Sequence, residues 1–386
     1  MKSIIKNILA IRHYLHANPE LSLQEVSTAE YVSKQLLLRY PDELITGLGG
    51  NGIAALYDSH KPGYTLCFRA DLDALPIEEQ STHTYQSKNK GVSHACGHDG
   101  HSSILLAFAQ WLNANPGKWP GKIILLFQPA EEIAQGALTV LKDTRFTNLK
   151  PDFIFGMHNI PGYPLGALII KDKVFASASQ GLKVKLTGKT SHASHPEDGN
   201  SPLQAMVAVF NLLNVLASQH TGASALVTII HARLGEEAFG TSPGEAEIMA
   251  TFRANNDDVL QSMASTAEAE LKAIAAKAAL QCTINWVEVF AATVNSSEAV
   301  NFVEKAAGNA LINIVRPEKA FAWSEDFSFY TSRYKSCFFG LGAGEEHPQL
   351  HNPDYDFPDE LIETALKLYT EILLTAGGHY AALKLD

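Results

Sequence analysis

Between Ser93 and Ser103 the sequence reads SHACGHDGHSS, which crowds three histidines, a cysteine and an aspartate into one short run. Thiolate, imidazole and carboxylate together form the ligand set of a borderline transition metal such as zinc, or of manganese where oxygen dominates. A single short cluster cannot complete such a site, so its partners must come from elsewhere in the chain. Candidates stand at the ends of apolar runs. Asp71 and Asp73 close CFRADLDALP, Glu131 and Glu132 close IILLFQPAEE, His158 closes FIFGMHN, and His347 and His351 follow FFGLGAG after a loop. Cys96 and His98, two residues apart on a bending segment, can face one ion. Adjacent Glu131 and Glu132 cannot both do so on extended backbone. One can bind metal while the other meets a water molecule, and the residue types leave open which does which. That division of labour suits metal-assisted hydrolysis, in which a cation acidifies water and a carboxylate takes the proton.

Other groups have plainer assignments. Asp71 and Asp73 can cap a turn before Pro76, although Asp73 fits better as a group that orients a ligating imidazole. His94 and His101 are explained as well by structure as by chemistry. Cys67 and Cys337 lie within apolar runs and are expected in the core. His13, His16, His60, His83, His220, His231 and His379 are expected at the surface or with their hydrogen bonds satisfied. A thiol hydrolase with Cys96 as nucleophile and His98 as base draws on the same run, but residues two apart meet poorly for that purpose.

Groups so far apart in sequence need a frame. An amphipathic helix, MKSIIKNILAIRHYLHANPEL, comes first. Strand-length apolar runs then alternate with helical patterns: YTLCFRAD, the histidine cluster, the helix SSILLAFAQWLN, KIILLFQPAEE, a helical stretch near AQGALTVLKD, and DFIFGMHN. Continuous apolar runs bounded by turn residues predict buried strands of a mostly parallel sheet flanked by helices, an α/β fold. Reactive groups of open sheets gather beyond the carboxyl ends of the strands, where these candidates fall. The cluster precedes a helix, so Cys96, His98, Asp99 and His101 lie near its positive end, which favours thiolate and carboxylate forms. From about Gln180 the texture changes. QGLKVKLTG, a helix around SPLQAMVAVFNLLNVLAS, SALVTIIHARL, EAEIMATFRAN, a long alanine-rich helix and CTINWVEVF give a β-α-β-β-α-β order. This predicts an α+β unit with helices on one face of a four-stranded sheet, inserted at 178–290 between catalytic-domain segments 1–177 and 291–386.

At 386 residues the chain is long enough for two domains, and its net charge of -11 repels nucleic acid and anionic membrane surfaces. Lys6 and Arg12 interrupt the first apolar run, which argues against a signal peptide, and no segment approaches the length of a membrane span. The four cysteines have no framework spacing and are expected as reduced thiols of a cytoplasmic protein.

The runs LHANPELSLQE, RADLDALPI, HACGHDGH, FQPAEE, GMHN, SEDFSFY and LHNPDYDFPDE resemble, in order and spacing, the amidohydrolase branch of the M20 metallopeptidase family. That branch includes N-acyl-amino-acid deacylases, hippurate hydrolases and indole-acetyl-amino-acid hydrolases. The resemblance implies a catalytic domain with two divalent metal ions per subunit, Zn2+ or Mn2+, and a smaller lid domain through which two copies form a homodimer. It assigns Cys96 as the bridging ligand, His98, Glu132, His158 and His351 as the other ligands, and Glu131 as the general base. His192, in GKTSHASHPEDGNSP, matches a histidine that polarises the scissile carbonyl. The substrate so implied is a small N-acylated, above all N-acetylated, amino acid. A dipeptidase or carboxypeptidase of the same family, or a non-catalytic metal-dependent binding protein, would carry similar motifs. Two departures bear on the substrate. Pro196-Glu197 replaces a common proline-histidine pair, and Gly240 replaces an asparagine associated with the substrate carboxylate, leaving its recognition to Arg253 or to backbone amides.

Overall fold

A computed structural model of the chain describes residues 2–220 and 224–384. The chain divides into two compact units, one of Met1–Phe175, Thr293–Lys319 and Asp326–Asp386, the other of Ala176–Ala292 with Ala320–Glu325.

The first unit is built on an eight-stranded sheet. Five of its strands come early: β1 (Glu43–Leu48), β2 (Gly52–Asp58), β3 (Thr65–Asp71), β4 (Lys122–Gln128) and β5 (Phe153–Pro161). Their spatial order is β1-β2-β4-β3-β5, followed by Lys335–Gly344, Leu168–Ile169 and Ile314–Val315. The centre is parallel: β3 lies between β4 and β5, and Lys335–Gly344 runs alongside β5. The β1–β2 and β2–β4 pairs are antiparallel. Parallel register sets Asp71 beside Gln128 and His158 beside Gly340, so several candidate groups emerge at one end of the sheet.

The central strands read as unbroken apolar runs because both faces are covered. All of β5 is buried, as is β4 beyond Lys122. Phe68 and Phe339 pack against Tyr369 of the helix Leu361–Leu383, on the side where helices α1 (Lys2–Ala17) and α3 (His98–Ala114) also pack. Phe338, one residue along and therefore on the opposite face, meets Phe327 and Phe175. No helix among the described residues is long and apolar enough to cross a membrane.

The second unit is an antiparallel sheet in the order Leu226–Leu234, Glu245–Ala254, Ala178–Thr187, Gln281–Phe290. Alternate residues Ala246, Ile248, Ala250, Phe252 and Ala254 are buried, the mark of a sheet covered on one face. The cover includes the helix Asp257–Lys277, whose Met263, Ala267 and Leu271 recur every fourth residue and are buried. Asn256 caps it by accepting from the backbone of Asp258 and Val259. The stretch Ala320–Glu325 joins this unit by hydrogen bonds: Ser177 donates to the Phe321 carbonyl through N and Oγ, and Arg253 donates to that of Ala322. A two-stranded ladder, Ser191–His192 with Thr241–Ser242, projects from the same unit.

Candidate active site

Each element of the first unit delivers its group for a local reason. Helix α3 begins at Gly97, whose φ of 92° is left-handed and whose Cβ position would lie 2.6 Å from Asn159 Oδ1. Only glycine turns the chain there without a clash. The turn sets Cys96 just before the helix and makes His98–His101 its first turn, rather than the loop ahead of it. After β4, Ala130 takes a left-handed φ of 52° and residues 131–134 form a turn. The backbone at Glu131 and Glu132 is therefore not extended, and the premise that the two carboxylates must diverge fails. Both come within 4.8 Å of a His98 ring nitrogen. His351, with a φ of 67°, is anchored by its N–H to the Ala95 carbonyl at 2.8 Å, next to Cys96.

Five residues that the sequence singled out as metal ligands converge in two overlapping groups. Cys96, His98 and His158 form one, Cys96, Glu132 and His351 the other, each with its donor atoms within 4.8 Å of one another. Sulfur is the shared donor. Cys96 Sγ lies 3.3 Å from His158 Nε2, and Glu132 spans His98 Nε2 at 3.8 Å and His351 Nε2 at 3.7 Å. Glu131, buried against the same group, accepts from the Asp326 N–H at 3.2 Å.

The imidazoles are aimed by their far nitrogens. His158 Nδ1 donates to the Asn159 carbonyl and His98 Nδ1 to the Asp73 carbonyl, both at 2.8 Å, which turns each Nε2 inward. Asp73 thus orients His98 mainly through its main chain. Its carboxylate, 3.5 Å from the ring, accepts instead from Ser22 Oγ and the Glu132 N–H. Asp71 holds His101, at 2.5 Å from Nδ1, while Asn159 Oδ1 takes the other ring nitrogen. Arg69 pins Asp71 at 2.6 Å and Asp326 at 2.7 Å with its two terminal nitrogens.

This end of the sheet carries concentrated negative charge. Burial pushes the His98 ring towards neutrality, but Asp71, Asp73 and Glu132 overcome it and lift its pKa to about 10. The surroundings draw in a positive charge, which a proton or a metal cation can supply. Burial and neighbouring His101 hold His158 well below the usual histidine range. His98 Nε2 is buried without a hydrogen-bond partner among the described residues. An orphaned nitrogen amid sulfur, carboxylate and imidazole donors fits a divalent cation of the zinc–manganese kind.

A sequence profile for peptidase family M20/M25/M40 matches residues 67–375. The chain belongs to that family. Within the family it is 31% identical over 368 residues to the hippurate hydrolase of Campylobacter jejuni, covering 94% of this chain and 95% of the relative. It is 30% identical to the N-acetyl-L-cysteine deacetylase of Bacillus subtilis, over 94% and 86% of the two chains. The crystal structure of the Bacillus subtilis YXEP protein, described as a dinuclear metal binding peptidase of family M20, superposes with a TM-score of 0.82 at 26% identity, covering 98% and 99%. The chain is thus a hydrolase of the M20 family, and the two ligand groups sharing Cys96 match the metal-binding character of that neighbour.

Not every singled-out residue lies in the cluster. His347 donates to the Asp356 carbonyl and stacks edge-on against Tyr355, a structural role. His94 is buried beside His16 and Asp99, with burial lowering its pKa to about 4. His192 and Arg253 belong to the second unit. His192 is exposed on its ladder; Arg253, half-buried, donates to the Ala322 carbonyl and Ser324 Oγ. Gly240 faces open space where a side chain would stand.

A buried charge network beside the candidate ligands is marked by no motif. Buried Arg12 meets Asp99 at 3.1 Å and also Asp356, and His16 Nδ1 lies 2.8 Å from Asp99. Burial opposes ionisation of Asp99, yet Arg12 and His16 hold its carboxyl far below the usual range. Only the hydrophilic letters at positions 12 and 16 of an otherwise apolar helix face could have signalled this.

Proposed function

We propose that this hydrolase cleaves the amide bond of small N-acylated amino acids, with N-acetyl substrates foremost, releasing a carboxylic acid and a free amino acid. The observation that carries the proposal is the pair of ligand groups sharing Cys96, with Glu131 beside them and held by a backbone N–H. Cys96, His98, Glu132, His158 and His351 would hold two divalent cations, Zn2+ or Mn2+, whose Lewis acidity acidifies water and polarises an acyl carbonyl. Glu131 takes the proton of the attacking water and returns it to the leaving amine nitrogen. His192 donates a hydrogen bond to the carbonyl oxygen as charge develops there. Asp73 steadies His98, and Arg253 or backbone amides near Gly240 recognise the substrate carboxylate.

The inserted unit would serve as lid and as homodimer contact. Leu203, Val207 and Val215 on one helix, with Leu226 and Ile230 on an edge strand, leave apolar side chains exposed on this unit. The four free cysteines fit a cytoplasmic location.

The test is a hydrolysis screen over N-acetyl, N-benzoyl and N-indoleacetyl amino acids and side-chain-matched dipeptides, with added manganese or zinc and with chelator. Chelator-sensitive release of amino acid from the N-acyl series supports the proposal. Preference for dipeptides would make the chain a peptidase instead. Turnover that survives chelation would favour thiol chemistry at Cys96, with His158, 3.3 Å from its sulfur, standing in for His98 as the base.

A further inference from the structure

His192 opens a tight turn. The His195 N–H closes it on the His192 carbonyl at 2.9 Å, and the ladder partners Thr241 and Ser242 fix the backbone before it. The Ala193 N–H is also spoken for, bonding the Gly240 carbonyl at 3.0 Å. Within this frame the imidazole folds back over its own turn. Its Nδ1 lies 3.1 Å from the Ser194 backbone nitrogen and 2.7 Å from Ser194 Oγ.

A backbone N–H can only donate, so Nδ1 must be the acceptor, and the rotatable serine hydroxyl can add its own proton to the same lone pair. A proton on Nδ1 would face the amide hydrogen head-on. The ring proton therefore belongs on Nε2, the nitrogen turned away from the turn. We propose that Ser194 is a positioning residue that locks His192 in this tautomer, so that an otherwise exposed ring presents a fixed hydrogen-bond donor. Nε2 then has a hydrogen to offer a carbonyl oxygen and no lone pair with which to bind metal or abstract a proton. His192 is thereby specialised as an electrophilic donor, and the acid–base work is left to Glu131.

This inference rests on the role proposed for His192 in amide hydrolysis, but its first test does not. Two-bond 1H–15N correlation spectra of the full-length, metal-free protein labelled in histidine, with the His192 signals assigned by their loss in His192→Asn, report which ring nitrogen carries the proton. The expected result is a protonated Nε2 and an unprotonated, hydrogen-bonded Nδ1; a protonated Nδ1 would overturn the proposal. Ser194→Ala should shift the Nδ1 resonance and lower kcat roughly fivefold, the worth of one ordinary hydrogen bond, with KM changed less. Ser194→Thr, which keeps hydroxyl and N–H, should restore both. A Ser194→Ala protein with unchanged ring resonances and unchanged kcat would remove Ser194 from its assigned role. If His192→Asn itself kept full turnover, the role of His192 in hydrolysis would fall, while the spectra would still decide the tautomer.

Discussion

The cluster around Cys96 and the turn at His192 hold their histidines by opposite means. At the sheet end of the first unit, His98 and His158 are buried and each is aimed by a backbone carbonyl; Asp71, 3.7 Å from His98, is held by Arg69, and Asp99, the next residue to His98 on the helix, by Arg12 and His16. At the turn of the second unit, His192 is exposed and relies on one neighbouring residue, two positions along. A ligand shell must withstand concentrated charge, so it is supported over many residues and much buried surface. A donor that has only to point can be built from a turn. Damage to the first should therefore spread into folding and metal content, whereas damage to the second should remain in the rate.

The largest effect tests the exception inside the buried cluster, the one group proposed to react rather than to ligate. Glu131→Gln keeps the shape and the Asp326 N–H contact but cannot take a proton. It should lower kcat about a thousandfold, within the range of general-base catalysis, with metal content unchanged by elemental analysis. Cys96→Ala should do the reverse at the level of binding: both ligand groups lose their shared donor, and bound metal should fall well below that of the unaltered protein. Retained metal in Cys96→Ala would show that sulfur does not join the two groups.

Arg12→Met probes whether the buried charge network matters as much as its burial suggests. The guanidinium is fully buried between Asp99 and Asp356, and its removal leaves a buried carboxylate short of a partner. Losing one member of a buried ion pair costs about 3–5 kcal/mol, read as a lower denaturant midpoint. Were the loss under about 1 kcal/mol, typical of exposed pairs, the contrast drawn between buried shell and local turn would not hold. His192→Asn should leave that midpoint in place and lower kcat by roughly a hundredfold, the scale of one oxyanion donor.

How much was legible in the sequence follows the same contrast. Apolar runs such as IILLFQ and FIFGMHN announce central strands because both faces are buried, and the chemical groups stand where those runs stop. β1, ELITGL, sits at a sheet edge with only Leu48 buried and leaves no such run; helix α2 (Val26–Leu37) has only Thr28, Val32 and Leu36 buried and is likewise unmarked by any apolar run. The thiol, imidazole and carboxylate groups that converge around Cys96 were readable because metal chemistry restricts residue type. The partners of Asp99 were not, since a salt bridge across 87 positions has no local pattern. The turn at Glu131 was hidden for another reason: it depends on alanine in a left-handed conformation, which alanine does not advertise.

The smallest effect lies in the response to pH and comes from His16. Burial works against its charge, but Asp99, at 2.8 Å, and Glu79 outweigh both that and Arg12, raising its pKa to about 9. Since the ordinary value is about 6.5, the folded protein binds this proton more tightly than the unfolded chain does. The stabilisation is therefore complete below pH 6.5 and is lost as pH climbs through 9. Between pH 7 and pH 9 the unfolding free energy should drop by about 2 kcal/mol on this account. His16→Gln, which can hydrogen-bond but not ionise, should flatten that slope in denaturant titrations. A slope that His16→Gln does not alter would mean that the charge beneath the ligand loop is held by Arg12 alone, and the buried shell would then be no more distributed in its support than the turn it is contrasted with.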